Sequence, residues 1–270
     1  MLTLKGTAMT LKEMTRTRSL KTGTFVVEFN TPGIGHVLKA AGCDFAFLDT
    51  EHSGFGMDAL KAALRYMEAA ALPTIVRVPS GEAHHVNRAL DAGAEGIMVP
   101  KAESVADVKA LIAASKYPPA GERGVALGIQ HDRFTEGAVD DKFSAANART
   151  VLSVLVETQG AVDDIDAIAA LPDIDLLWIG HFDLSVSLGI PGEFDHPAFK
   201  DAVARTEAAA RRHGKSLGRL IMDPAAAPPL FAAGVDFFCY SGDAWLLQQA
   251  FRDGAATIRG ACTGDVPRDP

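Results

Sequence analysis

The chain has 270 residues, 48% hydrophobic and 22% charged, a composition that supports one full-sized globular core. Its 26 Lys and Arg against 34 Asp and Glu give a formal charge of −8, and no basic stretch is interleaved with aromatics, which argues against a nucleic-acid partner. No apolar run reaches the roughly 18 to 20 residues of a membrane span, and Lys12, Arg16 and Arg18 break up the N-terminal region, so a cytoplasmic location without membrane attachment is expected.

Apolar runs at 24–29, 45–49, 74–78, 96–100, 151–156, 176–179, 216–222 and 237–240 predict eight strands. Between them, the segments 58–71, 84–92, 104–114, 162–170, 197–213 and 224–233 carry apolar residues at helical spacing. Near-continuous apolar strands are buried on both faces, as in a parallel sheet covered by helices. Eight such units in one chain predict an α/β fold, a single-domain (β/α)8 TIM barrel over residues 21–262. Residues 1–20 form an N-terminal extension and 263–270 a tail, with the first eighteen residues and the tail expected to be loosely held. The long interval between the fourth and fifth strands contains Tyr117-Pro118-Pro119-Ala120-Gly121-Glu122-Arg123-Gly124, a segment expected near the active-site mouth or a subunit contact. Cys43, Cys239 and Cys262 lie far apart without CxxC spacing, so neither a disulfide framework nor a zinc knuckle is expected.

Reacting groups in such a barrel sit at the C-terminal ends of strands. Gly33-Ile34-Gly35 after the first strand lacks the full dinucleotide fingerprint. The second strand ends in Asp49-Thr50-Glu51-His52, which concentrates ionisable groups. The third ends in Val76-Arg77-Val78-Pro79, where an arginine in a β-branched run either faces the mouth beside an anion or snorkels between helices. The fifth and sixth end in Val156-Glu157-Thr158 and Gly180-His181-Phe182-Asp183-Leu184-Ser185. Glu157 and Asp183 suit an oxygen-liganded Mg2+ or Mn2+, which needs only one or two carboxylates. The other readings are Asp183 as a helix cap and Glu157 as the partner of Arg77. His84-His85, His131, His196 and His213 have no constellation around them, and the acidic turns at Asp223 and Asp243 are poor neighbours for a phosphate. Lys101, after the fourth strand, is the one lysine placed to form a Schiff base, and no acid–base group is evident beside it.

Together, Asp49-Thr50-Glu51-His52, Val76-Arg77-Val78-Pro79, Leu90-Asp91-Ala92-Gly93-Ala94, Tyr117-Pro118-Pro119-Ala120-Gly121, Val156-Glu157-Thr158 and Gly180-His181-Phe182-Asp183-Leu184-Ser185 resemble the HpcH/HpaI family. These are class II, metal-dependent pyruvate aldolases of the 4-hydroxy-2-oxoheptanedioate type. The resemblance implies a TIM barrel in a homohexamer, with a divalent ion (Mg2+, Mn2+ or Co2+) and a small 2-oxo acid at the mouth. It makes Glu157 and Asp183 metal ligands, His52 the base, Arg77 the stabiliser of the enolate oxygen and Asp91 the residue that raises the basicity of His52. Gly180 and the N–H groups of Phe182 and Asp183 would hold the substrate carboxylate, and Leu220 would contact the aldehyde. The chain departs from the family at Leu155, where Gln is common, and at His181, where Pro is common. The expected reaction is reversible cleavage of 4-hydroxy-2-oxo acids to pyruvate or hydroxypyruvate and an aldehyde, through a metal-bound enolate. The rivals are an acyl-CoA lyase of the citrate-lyase β or malyl-CoA type, which lacks the Glu-His pair present here as Glu51-His52, a Schiff-base aldolase through Lys101, and a non-catalytic barrel.

Overall fold

A computed structural model describes residues 9–262 and 264. Strands β1 (Lys21–Val26), β2 (Phe45–Asp49), β3 (Thr74–Arg77), β4 (Gly96–Val99), β5 (Val151–Val156), β6 (Leu176–Ile179), β7 (Ser216–Ile221) and β8 (Phe237–Gly242) pair in parallel and in sequence order, and β8 closes onto β1. Because side chains alternate across a strand, each one feeds two cores. Phe45, Phe47, Ile75, Met98, Leu155, Trp178 and Phe237 fill the barrel. Ala46, Leu48, Val76, Ile97, Val154 and Leu177 face the helices. The helix Met57–Ala69 shows the matching stripe, burying Leu60, Ala63, Leu64 and Met67.

The same alternation places the site. Asp49 continues the inward series of Phe45 and Phe47, Arg77 that of Ile75, and Glu157 that of Leu155, so all three lie above the inner core at the C-terminal ends of their strands.

Three expectations are corrected. The N-terminal residues from Thr10 to Arg18 are anchored rather than loose. Leu11 and Met14, on the short helix Leu11–Met14, join the inner core, Lys12 pairs with Asp175 at 2.7 Å, and Arg18 pairs with Asp236 at 3.1 Å. The first strand begins and ends three residues earlier than its apolar run. Val27, Glu28 and Phe29 leave the sheet because their N–H groups donate to the Asp243 carboxylate. The long interval does not follow a strand directly, since the helix Val105–Ser115 comes first. The extra segment therefore lies at the N-terminal face, away from the mouth. There Lys116 Nζ donates to the Thr150 carbonyl just before β5, and Arg133 and Arg149 lie 3.5 and 3.4 Å from Glu95, just before β4. The tail 263–270 lies, apart from Gly264, outside the described residues.

The helix Asp243–Ala261 was not read from the sequence. Trp245 in its first turn stacks near Phe25, while Leu247, Phe251 and Ile258 are exposed along it. Among the described residues no helix is long and apolar enough to cross a membrane.

Candidate active site

Arg77 is the centre of the mouth. It lies beside Asp49 in the β2–β3 register, and its Nε and Nη2 donate to the two Asp49 carboxylate oxygens at 2.8 and 2.7 Å. The guanidinium rests over the Phe25 ring, 5.2 Å from its centroid, and its Nε is also 3.4 Å from Glu51. Burial opposes its charge, but Asp49, Glu51 and Glu157 more than offset this, so its pKa stands above the ordinary value. The anion that a buried arginine requires is thus Asp49, and Glu157 is left for other work.

Glu157 is buried, with 3% of its surface exposed, and its Oε1 accepts the Lys101 backbone N–H at 2.8 Å. Burial pushes its carboxyl up to about 7, Asp183 and Glu51 push the same way, and the Lys101 N–H and Arg77 pull it down. Gly180 makes room for it, because a Cβ there would stand 2.7 Å from Glu157 Oε2. The Gly180 N–H itself donates to the Val156 carbonyl at 3.1 Å. Asp183 lies in the first turn of the helix His181–Ser187, where no side chain caps the N-terminus, so its own carboxylate is not spent as a cap.

Among the described residues no three His, Cys, Asp or Glu side chains converge as a metal cluster. Two carboxylates still fit a hard divalent ion whose remaining positions are filled by water and substrate. The fit rests on Glu157, a buried carboxylate held by a backbone N–H and cradled by a glycine.

His52 is open to solvent, with 59% of its side chain exposed, and its Nε2 is 3.8 Å from Glu51 Oε2. Its backbone N–H donates to Asp49 at 3.3 Å. Asp91 ends the helix Ala83–Asp91, at the opposite face of the barrel, where it accepts from Arg123 Nη2 at 2.6 Å. The chain therefore brings together His52, Arg77, Glu157 and Asp183 but not Asp91. Phe182 is exposed and packs edge-on against Phe194, and Leu220 packs on the inner core below the mouth. His181 lies between Phe182 and Phe194, and burial, reinforced by Arg219, lowers its pKa to about 4, so it is neutral at physiological pH.

Two residues were missed as members of the site. Glu51 touches Arg77, His52 and Lys101, and Lys101 supports Glu157 through its backbone. A cavity of about 370 Å3 lies elsewhere, at the N-terminal face beside Leu11, Thr74 and Glu95. Its guanidiniums are already held, Arg65 by Glu68 at 2.9 Å and Arg133 and Arg149 by Glu95.

Residues 21–246 match the HpcH/HpaI aldolase/citrate lyase family. The chain belongs to that family. It is 35% identical over 228 residues to a hydroxypyruvate/pyruvate aldolase of Paraburkholderia phytofirmans, covering 82% of this chain and 87% of that one. It is 33% identical over 213 residues to a 5-keto-4-deoxy-D-glucarate aldolase of Salmonella paratyphi C, covering 79% and 82% of the two chains. An HpcH/HpaI aldolase crystal structure from Desulfitobacterium hafniense superposes with a TM-score of 0.87 at 31% identity, covering 96% of this chain and all of the other.

Proposed function

We propose that this aldolase reversibly cleaves 4-hydroxy-2-oxo acids into pyruvate or hydroxypyruvate and an aldehyde, with a divalent cation held by Glu157 and Asp183. The observation that carries this reading is the convergence of a buried carboxylate, a forked arginine and an exposed imidazole on one barrel mouth. The cation, when bound, polarises the carbonyl of a 2-oxo acid and so acidifies the adjacent C–H. Arg77 stabilises the negative charge that grows on the enolate oxygen; its Nε and one Nη2 hydrogen are committed to Asp49, which leaves the Nη1 edge for that oxygen. In the cleavage direction His52 takes the proton of the 4-hydroxyl, directly or through water, and in the reverse direction it returns it to the aldehyde oxygen. The uncapped N–H groups of Phe182 and Asp183 hold the substrate carboxylate, and Leu220 bounds the acceptor pocket.

The Glu51-His52 pair, with Glu51 tied to Arg77, supports an aldolase over an acyl-CoA lyase. A homohexamer in the cytoplasm completes the reading, and the exposed apolar residues of the helix Asp243–Ala261 support association. The test is a panel of aldehydes offered with pyruvate and hydroxypyruvate, with and without chelator, together with exchange of pyruvate methyl protons into deuterated water. Metal-dependent exchange and aldol formation are expected. Their absence across Mg2+, Mn2+ and Co2+ overturns the reading.

A further inference from the structure

Arg219 lies on β7 between Gly218 and Leu220, which face the inner core, so its side chain points outward into the helical layer. Burial there lowers its pKa, and the charge of Glu207 opposes this only through space. Among the described residues its guanidinium makes no hydrogen bond and no ion pair. Arg77, equally carried on a strand, has Asp49 as its anion at 2.7 Å. Arg219 lacks such a partner, and a half-buried guanidinium without an acceptor is left to water or to a ligand.

The space it faces is a cavity of about 200 Å3 with an apolar wall of Phe194, Phe199, Val203 and Ala204. Lys200 also lines it but is engaged by Asp195 at 2.9 Å. Glu207, on the helix Pro197–Arg212, shares the cavity and is half-buried. Burial pushes its carboxyl up, Arg219 and Arg211 pull it down, and among the described residues it accepts no hydrogen bond. One cavity thus presents a cation and an anion that do not pair with each other, beside an aromatic wall. Phe194 also packs against His181 at 5.3 Å and Phe182 at 5.2 Å, so the cavity backs onto the helix that bears Asp183, while none of its lining residues belongs to the mouth. We propose that this cavity is a binding site for a small zwitterionic amino acid with an apolar side chain. The carboxylate sits on Arg219, the ammonium on Glu207 and the side chain against Phe194 and Phe199, so both charged contacts are of the charge-assisted kind. A simple carboxylate would leave Glu207 unpaired beside it, and a simple amine would do the same to Arg219. Such binding needs neither a metal ion nor a 2-oxo acid.

Titration calorimetry of the full chain in chelator, with leucine, valine and phenylalanine as probes, tests the site. 4-Methylpentanoate and 3-methylbutylamine keep the isobutyl group of leucine and lack its ammonium and its carboxylate, respectively. Saturable binding of at least one of the three amino acids is expected, and leucine is expected to bind about tenfold or more tighter than either analogue, the scale of one charge-assisted hydrogen bond. Arg219→Gln and Glu207→Gln are each expected to weaken the amino acid by about tenfold or more. Pyruvate is expected not to displace it. The analogue comparison uses only the wild-type chain, so it decides the matter if a variant folds poorly. No saturable binding of any of the three amino acids at about 10 mM overturns the proposal. So does 4-methylpentanoate binding as tightly as leucine, binding unchanged in both variants, or displacement by pyruvate. None of these outcomes touches the aldolase reading, which is tested by proton exchange and aldol formation.

Discussion

Asp49 and Arg77 are cross-strand partners at the top of the barrel, and the carboxylate grips two teeth of the guanidinium fork at 2.8 and 2.7 Å. Asp49 also accepts the backbone N–H groups of Glu51 and His52, so one carboxylate sets the arginine and the loop that carries the imidazole. Arg77→Lys is expected to lower kcat by about a hundredfold or more, the scale seen when a preorganised donor to a developing oxyanion is lost. Metal affinity, read by titration calorimetry, is expected to change by less than about threefold, because the lysine keeps the positive charge beside the carboxylates. An unchanged kcat assigns Arg77 to structure alone.

Asp49→Asn tests the other half of the pair. It leaves the buried Arg77 charge without its main anion and takes the acceptor from one of the two loop amides, so a loss of about 3 kcal/mol is expected. Thermal denaturation of the chelated protein measures it, and a stability equal to wild type shows that Glu51 can hold Arg77 alone.

Removal of divalent ions with EDTA is expected to abolish turnover, and Mg2+, Mn2+ or Co2+ to restore it. Asp183→Asn is expected to weaken the activating metal by about tenfold or more, the cost of losing a charged ligand from a two-carboxylate set. Full activity in excess chelator excludes the cation from the mechanism.

Glu157 gives a pH-dependent prediction of opposite sign for stability and function. Its pKa stands above the ordinary 4.5, at about 7, so the neutral form is favoured in the folded chain. The resulting stabilisation is complete below about pH 4.5 and is lost as pH rises through about 7, a change of up to about 3 kcal/mol. At pH 8 the chelated Glu157→Gln protein is therefore expected to melt several degrees above chelated wild type, and to lack the metal-induced rise in Tm expected of wild type. Equal melting of the two chelated proteins at pH 8 refutes the buried-charge account.

The barrel was legible because its strands are apolar on both faces and its helices carry the 3.6-residue period, and seven strands begin where their apolar runs do. Glu157 and Asp183 could be read from their positions after β5 and β6. Asp49 was visible as part of a charged tetrad, but its pairing with Arg77 depends on strand register, which composition does not encode. The role of Lys101 rests on a backbone N–H and a left-handed turn, neither of which depends on the lysine side chain. The early end of β1 follows from Asp243, more than two hundred residues away in sequence, accepting three amides. Local patterns do not report such contacts.

The last prediction concerns Asp91, which the family resemblance couples to His52. In one chain the two cannot meet. Asp91 closes a helix at the N-terminal face and is held by Arg123 at 2.6 Å, whereas His52 is exposed at the mouth. A dyad therefore requires the Asp91 of a neighbouring subunit, whose carboxylate would fix the imidazole tautomer and leave the other nitrogen as base. Mixed oligomers of His52→Ala and Asp91→Asn chains then regain activity, because some sites combine an intact His52 from one chain with an intact Asp91 from the other. Random assembly in equal amounts makes about a quarter of the sites complete, since each of the two intact residues must come from a chain of the right kind. Each variant alone is expected to be severely impaired, and Asp91→Asn is expected to shift the pH profile of kcat. No recovery in oligomers shown by native mass spectrometry to be mixed rejects the intersubunit dyad, and a wild-type rate and pH profile in Asp91→Asn rejects any catalytic role for Asp91.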